Sequence, residues 1–165
     1  MHPISTSTDQ RFLTPQELAA KVRQLTSTPA EWVARVRLDP EGRWYEQMHM
    51  GDTYELWLIS WLPGQSTGFH DHGGANGAFG VVWGQLDEYT VADGANLAVS
   101  GARAIVPGTV RSFGKRHIHD VRNTETAGSV AVSVHAYSPP LSAMTRYDLT
   151  PSGLTSIRTE GAEDW

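Results

Sequence analysis

Seven histidines stand in the 165 residues: His2, His49, His70, His72, His117, His119 and His135. Four of them form two i, i+2 pairs, His70-Asp71-His72 and His117-Ile118-His119. On a strand, residues two apart point to one face, so each pair can offer two imidazoles to a single metal ion. Such a pair also arises as a solvated loop, so its surroundings decide. The chain has no Cys, which removes thiolate ligands, a cysteine nucleophile and a disulfide framework. Any resident metal must therefore be held without thiolate sulfur. Further on, Ser133, His135 and Tyr137 alternate with Val134 and Ala136, an arrangement that places three polar side chains on one strand face. Asp71 falls on the face opposite its two histidine neighbours, where it suits a structural hydrogen bond. His2 reads as a solvated terminal residue.

Strands have to carry these residues, and the sequence supplies them. After an opening segment the chain is punctuated by Pro63-Gly64, Gly73-Gly74, Asp93-Gly94 and Pro107-Gly108. Between these breaks run apolar, β-branched or aromatic stretches: 54–62, 78–83, 86–91, 102–106, 130–137 and 144–149. Short strands at turn-limited spacing indicate a mainly β domain, a sandwich or small antiparallel barrel. The first 40 residues read differently. Thr14-Pro15-Gln16-Glu17 and Thr28-Pro29-Ala30-Glu31 each place a cap residue, Pro at the first helical position and Glu three residues after the cap. Two short helices are expected over 10–40, a barrel over 43–149, and a polar tail over 155–165 that frays at its end, all in one domain spanning 1–165. Trp57, Trp61 and Trp83 are expected in the core.

Composition removes several function classes. The formal net charge is −5 with scattered basic residues, whereas phosphate-backbone binding needs a clustered positive surface. Nucleic acid is therefore not an expected partner. No apolar stretch is long enough to span a bilayer and no signal peptide is visible, so a cytoplasmic location is the expectation. The sequence sets no oligomeric state.

Gly64-(x5)-His70-x-His72-(x4)-Gly77-(x6)-Gly84 resembles the first motif of the cupins, with Gly77 where most members carry a metal-binding Glu. Gly101-(x5)-Pro107-Gly108 followed by His119-(x3)-Asn123 resembles the second, with a small insertion between its halves. The resemblance covers roughly 43–149 and implies a cupin double-stranded β-helix with a metal inside. Three histidines without a carboxylate are similar to the ligand set of the thiol dioxygenases, the cysteine dioxygenase group of that superfamily. The resemblance implies His70, His72 and His119 as ligands of Fe(II). The segment from Ser133 to Pro140 (SVHAYSPP) resembles that group's S-x-H-x-Y-S-P-P stretch, which implies a hydrogen-bonded relay of Ser133, His135 and Tyr137. Gly77 matches the position where animal members carry a Cys crosslinked to the relay tyrosine, and Gly there is similar to the bacterial type.

The implied reaction takes a small thiol, foremost L-cysteine, and O₂ to a sulfinic acid. Three neutral imidazoles leave the ion its full charge, which favours a thiolate. For the substrate carboxylate the resemblance points to the strand before the first motif, with an Arg in the cysteine type and a Gln in the mercaptopropionate type. In that strand Arg43, Tyr45, Gln47 and His49 share a face by parity. Gapless counting puts Trp44 at the family's Arg position, so the clamp stays unassigned; Arg43, Tyr45, Gln47 and Gly77 are the residues expected to bind substrate. His117 stands as an alternative third ligand or a neighbour of the site. A non-thiol oxygenase and a small-molecule sensor are the rival readings. Imidazole sites also accept Ni, Zn, Mn and Co, so the ligands alone do not select iron.

Overall fold

The structure, a computed structural model, describes residues 11–91, 99–124 and 128–162. The expected Asp93-Gly94 break, His2 and the last three residues lie outside them. Helix α1 (Pro15–Thr26) begins at a reciprocal cap: Thr14 Oγ1 accepts from the Glu17 amide, and Glu17 Oε2 accepts from the Thr14 amide at 2.8 Å. The second cap does not form. The Thr28 hydroxyl instead donates to the Gln24 carbonyl at 2.9 Å, closing the end of α1, and α2 (Pro29–Trp32) is a single turn. A hydroxyl committed to the preceding helix leaves the next one without its side-chain cap.

Eleven strands follow among the described residues: β1 (Trp44–Met50), β2 (Glu55–Trp61), β3 (Phe69–His70), β4 (Asn76–Trp83), β5 (Leu86–Val91), β6 (Val99–Ile105), β7 (Val110–Phe113), β8 (His119–Arg122), β9 (Ala131–Ser138), β10 (Ala143–Thr150) and β11 (Gly153–Gly161). They form two antiparallel sheets, ordered β1-β2-β9-β4-β7 and β11-β10-β3-β8-β5-β6. The expectation of a mainly β fold with two N-terminal helices holds. The tail expected from residue 155 is polar but belongs for most of its length to a strand: β11 pairs with β10 from Thr150↔Gly153 to Ala143↔Gly161. It occupies a sheet edge with mostly exposed side chains, so it lacks the hydrophobic alternation that reveals a half-buried strand.

Alternation in β9 explains the layers. Ala131, Ser133, His135 and Tyr137 face one way, and Val132, Val134 and Ala136 the other; all are buried. The first set joins Trp61, Phe79, Val81, Leu86, Ile105 and Val121 in or around the inner core. The second set meets Leu18, Val22 and Leu25 of α1, together with Leu56, Leu58 and Ala78. Helix α1 thus covers the outer face of the first sheet, and neither face of β9 meets water. Trp61 is fully buried and Trp57 packs partly buried against the same core. Trp83 departs from expectation: it is 64% exposed, past a register shift that turns the end of β4 outward.

Candidate metal centre and substrate cavity

The three histidines singled out by spacing converge. His70 closes β3 and pairs directly with His119 at the start of β8, while His72 follows two residues on, ahead of the Gly73-Gly74 turn. Gly73 has φ +57°, and a Cβ there would meet the Ala143 carbonyl oxygen at 2.4 Å, so the chain bends tightly after the second histidine only because it is glycine. Ring centroids lie 4.8 Å apart for His70 and His72, 4.8 Å for His70 and His119, and 4.9 Å for His72 and His119. One ligand nitrogen from each lies within 4.8 Å of the others.

The residues fit a metal ion. All three rings are buried. His70 Nδ1 lies 2.9 Å from the Gly68 carbonyl and His119 Nδ1 lies 2.9 Å from Glu88 Oε1, so a proton on each Nδ1 leaves Nε2 with its lone pair. Among the described residues, neither ring nitrogen of His72 has a partner with hydrogen-bond geometry, although the His117 backbone lies close enough to favour its protonated form slightly. A buried imidazole with both nitrogens idle is costly, and coordination offsets that cost. Burial, followed by its histidine neighbours, pushes the proton affinity of His72 well below the usual range. Burial does the same for His70 and lowers His119. Neutral imidazoles are the form that binds metals.

Behind the triad sits a carboxylate that spacing did not reveal. Glu88 on β5 is fully buried and receives Arg111 Nε at 2.8 Å, with His117 Nε2 at 3.0 Å and His119 Nδ1 at 2.9 Å. Burial alone would raise its proton affinity, but the hydrogen bonds from His117, His119 and Arg111 outweigh this and hold it ionised. Glu88 therefore orients His119. His117 lies before β8, stacked on Phe113 at 4.5 Å, with its Nε2 turned to Glu88.

The inner face of β9 supplies a polar chain. Trp61 Nε1 donates to Ser133 Oγ at 2.8 Å, Ser133 Oγ lies 2.8 Å from His135 Nε2, and Tyr137 Oη lies 3.3 Å from His135 Nδ1. Burial drives His135 down to about 3, so the ring carries one N–H. Burial, then the carboxyl of Glu55, pushes the Tyr137 phenol up, and it stays protonated. Tyr137 also stacks on His72 at 5.4 Å.

A cavity of about 350 Å³ opens beside these groups, lined by His70, His119, His135 and Tyr137 and by Arg43, Tyr45, Gln47, Glu55, Trp57 and Arg146. Gln65 pins the chain ahead of Arg43 by donating to the Gly42 carbonyl at 2.8 Å and the Asp39 carbonyl at 2.9 Å. Arg43 stacks its guanidinium over Trp61 at 5.2 Å. Burial, then the charge of Arg146, lowers its pKa. Trp44, which gapless counting put at the clamp position, packs with the helix-covered cluster on the opposite face. His49 does not share the face of Arg43, Tyr45 and Gln47 as expected. The pairing of β1 with β2 shifts between Gln47 and His49, so Met50 lines the cavity and His49 stacks on Tyr54 at 4.3 Å.

Gly77 also differs from the substrate-binding role expected of it. It does not line the cavity; it sits opposite Tyr137 in the β4–β9 pairing, and a Cβ there would fall 2.2 Å from Phe113 Cε2. Its missing side chain makes room for the ring that packs on His72 at 4.7 Å. Arg146, Glu88 and Glu55 were missed. Arg146 pairs with His70 across β10 and β3, a register that no stretch of sequence states locally.

A family model for cysteine dioxygenase type I matches residues 8–150. Among solved structures, a double-stranded β-helix protein from Klebsiella pneumoniae is similar at 11% identity and TM-score 0.53, over 91% of this chain and 99% of that one. A cupin superfamily protein from Desulfitobacterium hafniense is similar at 13% identity and TM-score 0.53, over 66% of this chain and 87% of that one. These neighbours show the cupin fold. The family model covers most of the length, both histidine pairs and the Ser133–Tyr137 segment, and the chain belongs to the cysteine dioxygenase type I family, whose chemistry is thiol dioxygenation.

Proposed function

We propose that the protein is an Fe(II)-dependent dioxygenase that converts a small thiol carboxylate, foremost L-cysteine, to its sulfinic acid. The single observation that carries this reading is the cluster of three buried histidines, two of them lining a cavity, in which neither ring nitrogen of His72 has a partner of hydrogen-bond geometry among the described residues. His70, His72 and His119 would hold the ion. When bound, Fe(II) supplies the open positions where thiol and O₂ meet and the redox chemistry that places both oxygen atoms on sulfur. The balance closes without a further reductant, since RSH and O₂ together contain the atoms of RSO₂H.

The chain's own residues perform the remaining work. Arg43 and Arg146 line the same cavity, and a planar guanidinium matches a carboxylate in two parallel hydrogen bonds. Both face the cavity that His70 and His119 border, so a carboxylate held there keeps a short thiol within reach of the triad. Placing the His135 proton on Nδ1, with Ser133 donating to Nε2, makes the Tyr137 oxygen an acceptor. The phenol proton is then free to donate toward bound substrate. Trp57, Ile59 and Leu141 form an apolar wall, which keeps these hydrogen bonds in a drier medium where they are stronger.

A second reading, 3-mercaptopropionate as the preferred thiol, is favoured by one observation: Gln47 lines the cavity together with Arg43. O₂ uptake by anaerobically Fe(II)-loaded protein with cysteine, 3-mercaptopropionate and cysteamine in parallel tests both. Uptake with cysteine at the highest kcat/KM supports the first reading, and a higher value with 3-mercaptopropionate supports the second. No uptake with any thiol would overturn both in favour of a non-thiol oxygenase or a sensor.

A further inference from the structure

Arg146 does not stand in the cavity unsupported. Its Nε donates to Glu160 Oε2 at 2.9 Å and its Nη1 to the Thr67 carbonyl at 2.9 Å. Among the described residues no protein acceptor holds Nη2. The other oxygen of Glu160 accepts Arg158 Nη2 at 2.6 Å. Glu160 lies on the edge strand β11, yet it is only 8% exposed. The family match ends at residue 150, so this carboxylate belongs to a strand outside it. Two residues further on, Ala162 lines the cavity itself.

We infer that Glu160 is a positioning residue for the substrate carboxylate, and that β11 is part of the substrate site. A free arginine samples many rotamers, and ordering it on binding weakens the complex it makes. Hydrogen bonds from Nε and from Nη1 fix the plane of the Arg146 guanidinium before substrate arrives, leaving Nη2 as the nitrogen still able to donate. The carboxylate also offsets the repulsion between Arg146 and Arg43, which already lowers the pKa of Arg43 after burial. Arg158 has a different part: its side chain is 68% exposed against 18% for Arg146, and such a solvated pair contributes little. The inference rests on the reading of the cavity as a thiol carboxylate site.

Anaerobic calorimetric titration of the Fe(II)-loaded protein with 3-mercaptopropionate and with ethanethiol, which lacks the carboxylate, separates these roles. In Glu160→Gln, which nearly preserves shape, the Kd for 3-mercaptopropionate rises about tenfold while that for ethanethiol stays unchanged. In Arg158→Ala both constants stay at the wild-type values. Equal weakening of the two thiols in Glu160→Gln, or an equal effect from Arg158→Ala, would reduce Glu160 to a structural part of the hairpin and overturn the inference. Wild-type protein that binds the two thiols equally would remove the carboxylate clamp, and Glu160's role with it. Wild-type discrimination that survives unchanged in Glu160→Gln would overturn the positioning role alone.

Discussion

At the scale of the residue, the site depends on imidazoles that stay neutral because they are buried, and each has its idle nitrogen assigned differently. His70 and His119 are tied through Nδ1 to a carbonyl and a carboxylate, whereas among the described residues His72 has no partner of hydrogen-bond geometry. Replacing His72 by Ala is therefore expected to abolish metal retention, read as metal content after gel filtration; wild-type content in that variant would remove it from the ligand set. Tyr137→Phe should behave oppositely, keeping the metal and losing about 10²-fold in kcat, since only a hydrogen-bond donor at the reacting centre is deleted. Unchanged turnover would exclude the phenol from the chemistry. His135 provides a pH test. Burial holds it at about 3, below the ordinary imidazole value of 6.5, so between the two the unfolded chain binds a proton that the native chain does not, and stability rises with pH through that window. In His135→Gln the slope of unfolding free energy against pH should fall by about 1.4 kcal/mol per unit in this window; an unaltered slope would mean that the native ring titrates normally. The relay was readable because it rests on parity within one strand; the triad, split between the end of β3, the turn after it and the start of β8, was readable from the resemblance of its two motifs. Glu88 and Arg146 were not, because their places depend on which strands lie side by side, as in the pairing of Arg146 with His70.

At the scale of the element, the outer cover and the inner site are set by the same strands. β9 carries the relay on one face and the α1 docking surface on the other, so loosening the helix would disturb the residues that face the cavity. The contact of β4 with Phe113 is tighter still. Phe113 is wedged among His72, His117 and His119 and cannot swing aside for a side chain at position 77. Gly77→Ala is expected to destabilise the protein by about 1–3 kcal/mol through overpacking, seen as a lower urea midpoint; an unmoved midpoint would show that Phe113 has room to shift. The sequence displayed the first helix fully, through a cap that the structure forms, and displayed the second too strongly, because Thr28 serves the carbonyl of Gln24. It concealed β11 for a physical reason: an edge strand with water on one side needs no apolar alternation, and only Leu154 and Glu160 of its residues are buried. The bulge in β1 was equally hidden, and it exchanges His49 for Met50 at the cavity.

At the scale of the whole molecule, two sheets meet around a cavity whose walls differ in chemistry. The second sheet brings His70, His119 and Arg146 across adjacent strands, and the first brings Tyr137, His135, Trp57 and Gln47. A chain with a formal charge of −5 thus keeps two guanidiniums at one cavity, an arrangement suited to a small anion that also carries a soft donor for the metal. No described helix is long and apolar enough to cross a membrane. The overall fold was legible because its signals are local, turn residues and strand-length apolar runs, while the closure of the cavity by β10 and β11 was not. The central claim is that this three-histidine centre places both atoms of O₂ on a thiol sulfur. The most direct test supplies isotopically labelled O₂ to the Fe(II)-loaded protein with cysteine and with 3-mercaptopropionate, and reads the product by mass spectrometry. The expected product is a sulfinate carrying both labelled oxygens, formed one per O₂ consumed and absent with His72→Ala. Disulfide as the only product, or a sulfinate with oxygen drawn from water, would contradict the account.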